Sequence, residues 1–108
     1  MSYAVKTVKS FDRQLARIAR KYPKILDTFS SLIDELKKDP RLGDALGKHC
    51  YKIRLSIPGK PAGKSGGGRV ITFVKFDQET VYLLAIYDKS KQSTISESRL
   101  LSLLDQIR

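Results

Sequence analysis

The chain is predicted to fold as one α+β domain: a short first strand, two helices, three further strands that complete a mainly antiparallel sheet, and a last helix. Three observations predict it. Apolar residues recur at helical spacing over residues 11–36 and again over 100–107. Residues 49–57 alternate, and residues 69–76 and 80–87 are rich in β-branched and aromatic residues. No repeat or linker separates these segments, so residues 1–108 read as a single domain.

Residues 3–8 alternate in part, with Tyr3, Val5 and Thr7 against Ala4, Lys6 and Val8, which suits a first strand. Ser10 reads as the N-cap of a helix carrying Phe11, Leu15, Ile18, Ala19 and Tyr22, and Pro23 ends that helix. A second helix holds Ile25, Leu26, Phe29, Leu32, Ile33 and Leu36 on one stripe and stops before Pro40. Tyr51, Ile53, Leu55 and Ile57 then share one face of a strand, opposite Cys50, Lys52, Arg54 and Ser56. Residues 69–76 and 80–87 form two more strands, joined by Asp77-Gln78-Glu79, a hairpin-length loop without glycine. Thr94-Ile95-Ser96-Glu97 matches a capping box before the stripe Leu100, Leu101, Leu104 and Ile107. The order is βααβββα: two helices packed on one face of a four-stranded sheet, then a C-terminal helix. The opposite face is expected to carry Lys52, Arg54 and Arg69.

Charge narrows the function. Twenty-one Lys and Arg against eleven Asp and Glu give +10 in 108 residues, which repels itself and points to a polyanionic partner. Residues 1–38 hold nine basic and four acidic residues. From Lys48 to Lys75 there are seven basic residues and no acid. Cys50 and His49 stand alone, which excludes a disulfide framework and a Cys/His zinc site. No metal or cofactor is expected. No apolar run approaches the ~18 residues of a membrane span, and the first residues lack the apolar core of a secretory signal. A reducing cytoplasm is therefore the expected location.

The glycine-rich loop from Pro58 to Gly68 contains Gly63-Lys64-Ser65, which invites a nucleotide-binding P-loop. Spacing rejects it, because the first glycine would fall at Pro58, and context rejects it, because this loop opens a strand. Two readings stay open: a connector, or a backbone-amide surface near phosphate reinforced by Lys60 and Lys64. His49 and Cys50 read as structural, since no Ser/His/Asp set or paired carboxylates accompany them. Tyr87-Asp88-Lys89-Ser90-Lys91 closes the last strand as either a polar turn or a second basic cluster facing Lys64 and Arg69.

Three stretches together resemble a known family: Cys50-Tyr51-Lys52-Ile53-Arg54-Leu55, Gly63-Lys64-Ser65-Gly66-Gly67-Gly68-Arg69-Val70-Ile71, and the strand from Val81 to Asp88 with its Lys89-Ser90 ending. They are similar to the RelE/ParE superfamily of type II toxins, on its RelE and HigB-like branch, over about residues 3–108. The resemblance implies a curved sheet and metal-independent cleavage of mRNA in the ribosomal A site, with the substrate's 2′-OH as the attacking group. It implies an RNA-contacting and base-assisting role for Lys52 and Arg54, a phosphate-stabilising role for Arg69, and further basic groups at Lys89 and Lys91. Lys48, Lys60 and Lys64 would bind RNA. Some relatives carry a C-terminal catalytic tyrosine where this chain has Ile95, and Tyr87 is the nearby tyrosine. The implied partners are the ribosome, mRNA and a cognate antitoxin, helix-turn-helix or partly disordered, with an acidic contact surface. Two alternatives stay open: a ParE-like gyrase inhibitor, and a non-catalytic RNA-binding module. The Lys64/Arg69 cluster argues against the first, and Glu97 at the start of the last helix against the second.

Overall fold

Prolines set the helical pair that follows the first strand of the structure, a computed structural model that describes residues 2–60, 67–92 and 94–107. Helix α1 spans Lys9–Lys21 and α2 spans Ile25–Lys38, divided by Pro23 and followed by Pro40. Phe11 on α1 and Ile25, Leu32 and Leu36 on α2 are buried, and the Phe11 and Phe29 rings meet at 5.5 Å between centroids. Each such buried side chain contributes roughly 1.5–3 kcal/mol of transfer free energy. The expected cap at Ser10 is corrected to Val8, with no side-chain capping bond. The cause is local. Val8 N–H donates to the Leu83 carbonyl at 3.3 Å, so the chain leaves the sheet there and turns straight into α1. Ser10 is instead buried and donates to Gln106 Oε1 at 3.4 Å.

The sheet has five strands, β1 (Ala4–Thr7), β2 (Asp44–Gly47), β3 (Cys50–Leu55), β4 (Gly68–Lys75) and β5 (Thr80–Asp88), in the order β1-β5-β4-β3-β2. Strand β1 runs parallel to β5, and every other pairing is antiparallel. The α+β class is as expected, with β2 as an added edge strand. All four β2 residues are exposed, so no alternation marks it. Its entry depends on Gly43, where φ is +100° and an added Cβ would sit 2.5 Å from the Lys52 carbonyl oxygen. His49 is not a strand residue. It and Lys48 form a two-residue turn with φ of 63° and 56°, a conformation that usually selects Asn-Gly.

Strands β4 and β5 pair along their length, with one register shift: Ile71 opposes Ala85 while Thr72 opposes Leu83, leaving Leu84 unmatched. Val70 and Ile86 are buried on one face of this pair, and Ile71 and Ala85 on the other. The expectation of a single covered face is therefore corrected. Helix α3 (Glu97–Asp105) buries Leu100, Leu103 and Leu104 and packs on β5. It runs from Lys48, 3.9 Å from Glu97, towards Ser10 at the start of α1. Its N-cap is Ser96, whose Oγ accepts from the Arg99 N–H at 3.1 Å, and not the Thr94 of the expected capping box.

The β4–β5 connection is a short 3₁₀ turn, Phe76–Gln78, followed by Glu79 in the left-handed region at φ 48°. A side chain there is disfavoured relative to glycine. Glu79→Gly should stabilise the fold by about 0.5–1 kcal/mol, read as a higher denaturant midpoint at unchanged slope. An unchanged or lower midpoint would mean that the turn carries no strain.

Candidate RNA-facing site

Strand register builds the site. Arg54 on β3 opposes Arg69 on β4, which opposes Tyr87 on β5, so these three side chains form one row across the sheet. The next row on that face is Lys52, Ile71 and Ala85. Directly opposed side chains have Cβ atoms ~5 Å apart and next neighbours on a face ~7 Å, so Lys52, Arg54 and Arg69 concentrate three cations within about one square nanometre of sheet. Like charges so placed destabilise the sheet and favour an anion. Arg54 is exposed, Lys52 is half-buried, and Arg69 is only 4% exposed.

The glycines before Arg69 explain its depth. A Cβ on Gly68 would meet the Leu55 carbonyl oxygen at 3.2 Å, so glycine lets β4 begin tight against the end of β3. Arg69 Nη1 donates to the Gly68 carbonyl at 3.0 Å. Tyr87 is 7% exposed, and its hydroxyl is buried without a hydrogen-bond partner. Burial pushes its phenol above the ordinary value, and the Arg69 cation pulls partly against that rise. A protonated phenol beside a buried guanidinium can give a hydrogen bond or a proton to an oxyanion. It cannot serve as a base near neutral pH.

The far ends of the β4–β5 hairpin meet as expected: Gly68 opposes Asp88, and Lys89 N–H donates to the Gly67 carbonyl at 2.9 Å. Lys89 thus continues the strand beside Arg69, while Lys91 turns away to line a cavity against α1. Lys60 is bound differently from expectation. Its Nζ forms an ion pair with Asp88 Oδ2, the two side chains being 14% and 11% exposed. The hydrogen bond to Asp88 raises the pKa of Lys60. Burial would raise the Asp88 carboxyl, but bonds from Lys60 and from Ser90 N–H and Oγ outweigh it and hold the carboxyl below its ordinary range.

Lys48 lies at the opposite end of β3 from Arg54, in the exposed turn before Cys50, and is not part of the row. Lys64 lies outside the described residues. Cys50 is fully buried, and burial pushes its thiol up to about 11 despite the Lys48 charge, so it is no nucleophile. Sequence reasoning passed over a cavity of about 280 Å³ between α1 and the end of β5, walled partly by Arg17 and Lys21. The available signal was the spacing of Arg13, Arg17 and Lys21, which puts three like charges on one helical stripe.

The Lys60–Asp88 pair has a defined pH window. With a lowered folded value, Asp88 contributes stability that is present above its ordinary 3.8 and lost as pH falls through the folded value. With a raised folded value, Lys60 contributes stability that is present below its ordinary 10.5 and lost as pH rises through the folded value. In thermal melts from pH 2 to 12, Asp88→Asn should lie below wild type in between and converge on it at both extremes. A constant gap across that range would show that the pair does not titrate with folding.

A family model described as the RelE toxin of the RelE/RelB toxin–antitoxin system matches residues 7–105. The fold is similar to a double arginine-to-alanine mutant of the Escherichia coli toxin RelE in the free state, at TM-score 0.60 and 18% identity over 86% of this chain and 90% of that one. It is similar to the intact E. coli RelBE toxin–antitoxin complex, at TM-score 0.58 and 17% identity over 79% and 94%. It is also similar to a RelBE toxin–antitoxin complex from Mycobacterium tuberculosis, at 0.59 and 18% over 82% and 99%. The model's match runs from the end of β1 through all three helices and the whole β2–β5 sheet, and on that match the chain belongs to the RelE toxin family.

Proposed function

We propose that this toxin cleaves mRNA in the A site of the translating ribosome, in the bacterial cytoplasm, and is held inactive by a cognate antitoxin. The observation that carries the reading is the row Arg54–Arg69–Tyr87, which sets an unpartnered buried phenol beside a buried guanidinium on a cationic face. No helix among the described residues is long and apolar enough to cross a membrane.

The chemistry follows from those groups. The RNA's 2′-OH attacks the adjacent phosphorus, the P–O5′ bond breaks, and the products are a 2′,3′-cyclic phosphate and a 5′-hydroxyl. Arg69 neutralises the developing phosphorane through its fork of N–H donors. The Tyr87 phenol protonates the leaving 5′-oxygen. Lys52 and Arg54 bind the strand, and Lys52 assists removal of the 2′-OH proton. Lys89 adds positive charge at the end of β5. A site with so few orienting groups relies on the ribosome to align the phosphate, so free RNA is cut poorly. An antitoxin with an acidic contact surface would associate quickly with this face and shield it.

Primer extension on mRNA in a translation extract tests the reading. Wild-type protein should give discrete cleavage stops, and Arg69→Ala should lower the rate by ~10²–10³. Arg69→Lys, which keeps the charge and loses the fork, checks that a folded variant is still impaired. Intact mRNA together with trapped gyrase–DNA complexes would replace this reading with gyrase inhibition.

Tyr87→Phe separates chemistry from folding. Removing a buried, unpartnered hydroxyl should leave stability equal or raise it by about 1 kcal/mol, while cleavage falls. Wild-type cleavage by Tyr87→Phe would move the proton donor to Lys89 or Lys91.

A further inference from the structure

Arg17 and Lys21 play no part in the row on the sheet, yet they stand one helical turn apart over a cavity of about 280 Å³. Its walls combine three kinds of group. Arg17 and Lys21 from α1 and Lys91 from beyond β5 supply cations. Ile18, Tyr22, Ile86 and Tyr87 supply a largely apolar wall, Tyr87 being shared with the row on the sheet. Gln14 and Gln92 supply amides. Asp88 also borders the cavity, but Lys60 and Ser90 occupy its carboxylate, so the local charge stays positive.

The amides are pre-set. Gln14 Oε1 accepts from the Ile86 N–H at 3.0 Å, on the stretch of β5 beyond its pairing with β1. That bond fixes the Gln14 side chain and leaves its Nε2 protons to donate. Gln92 Nε2 donates to the Thr94 carbonyl at 2.9 Å, which leaves its Oε1 to accept. One fixed donor and one fixed acceptor, beside an apolar wall and three cations, match a nucleotide: a flat base with polar edges carrying a phosphate. A chloride or free phosphate would use only the cations, and an acidic peptide would have no need of the apolar wall.

We infer that the cavity between α1 and the end of β5 binds one nucleotide of a single-stranded RNA, with its phosphate on Arg17, Lys21 and Lys91 and its base against Tyr22 and Ile18. Tyr87 belongs to the Arg54–Arg69–Tyr87 row and also lines the cavity, so a strand crossing the row meets the cavity there. The inference goes beyond the proposed cleavage and does not require it, since it concerns binding alone.

The test is equilibrium binding of a fluorescent five-nucleotide RNA made uncleavable by 2′-O-methylation, followed by anisotropy across a salt series. Arg17→Ala/Lys21→Ala should weaken binding ~10-fold and reduce the salt slope by at most about 0.7, the value for the one phosphate they share on a single strand. Its melting temperature should match wild type, because both side chains are exposed. Lys37→Ala/Lys38→Ala removes the same charge from the far end of α2 and should change affinity less than 2-fold. Adenosine 5′-monophosphate should displace the RNA at concentrations well below those of inorganic phosphate. Equal losses in the two double variants would overturn the site in favour of diffuse electrostatics. Equal displacement by phosphate and nucleotide would overturn the base contact. Unchanged RNA binding with lost binding of a co-expressed acidic antitoxin would assign the cavity to that partner instead. Arg69→Ala is run in parallel. If the α1 variant loses RNA while Arg69→Ala cleaves normally, the cavity stands and the cleavage reading falls; the reverse result does the opposite.

Discussion

Gly68 opposing Asp88 and Arg69 opposing Tyr87, at the open end of the β4–β5 hairpin, is the pairing on which the rest of the molecule hangs. A slip of one residue would send Arg69 and Tyr87 to opposite faces and move Val70 and Ile86 out of the core. Two features hold it. The Lys89 N–H bond to Gly67 extends the ladder beyond the strand, and the unmatched Leu84 absorbs one residue so that the pairing stays in step on both sides of the shift. Four other elements lie directly against this pair: β1 and β3 on its edges, and α1 and α3 packed on β5.

The charges show what this scaffold tolerates. Opposed Arg54 and Arg69 with Lys52 beside them form an unfavourable set for a sheet, and Arg69 is buried as well. The chain balances one cation with a carboxylate, Lys60 with Asp88. The buried Tyr87 hydroxyl is unfavourable too, and a desolvated donor without an acceptor gains most from an oxygen brought by a ligand.

Turns carry further strain. Lys48, His49 and Glu79 all adopt left-handed backbone angles without being glycine, although two-residue hairpins favour Asn-Gly. Lys48 and His49 join the edge strand β2, and Glu79 closes the central hairpin. In each place the flanking ladder is formed by apolar or buried residues, Cys50 after the first and Thr80 and Val81 after the second, so packing imposes the turn.

The sequence alone determined the elements that announce themselves locally. Pro23 and Pro40 bound α1 and α2 because proline removes a donor and clashes with the preceding turn. Tyr51, Ile53 and Leu55 marked β3 by their period of two, and the leucines of α3 marked it by theirs. The period of β3 placed Lys52 and Arg54 on one face, and the resemblance of the Gly-rich segment implied a role for them and for Arg69. Tertiary structure alone set the rest, because it depends on partners distant in sequence. Strand β2 has no buried face of its own and exists through pairing with β3. Ser10 gave up the cap because Val8 is held by Leu83, seventy-five residues away. Lys60 became an ion-pair partner only when folding brought Asp88 beside it. Cys50 alternates with Lys52 yet is fully buried, since coverage of a sheet face is set by what packs on it and not by strand periodicity. The cavity under Arg17 and Lys21 likewise needs α1 laid against the far end of β5, a juxtaposition that no local pattern encodes.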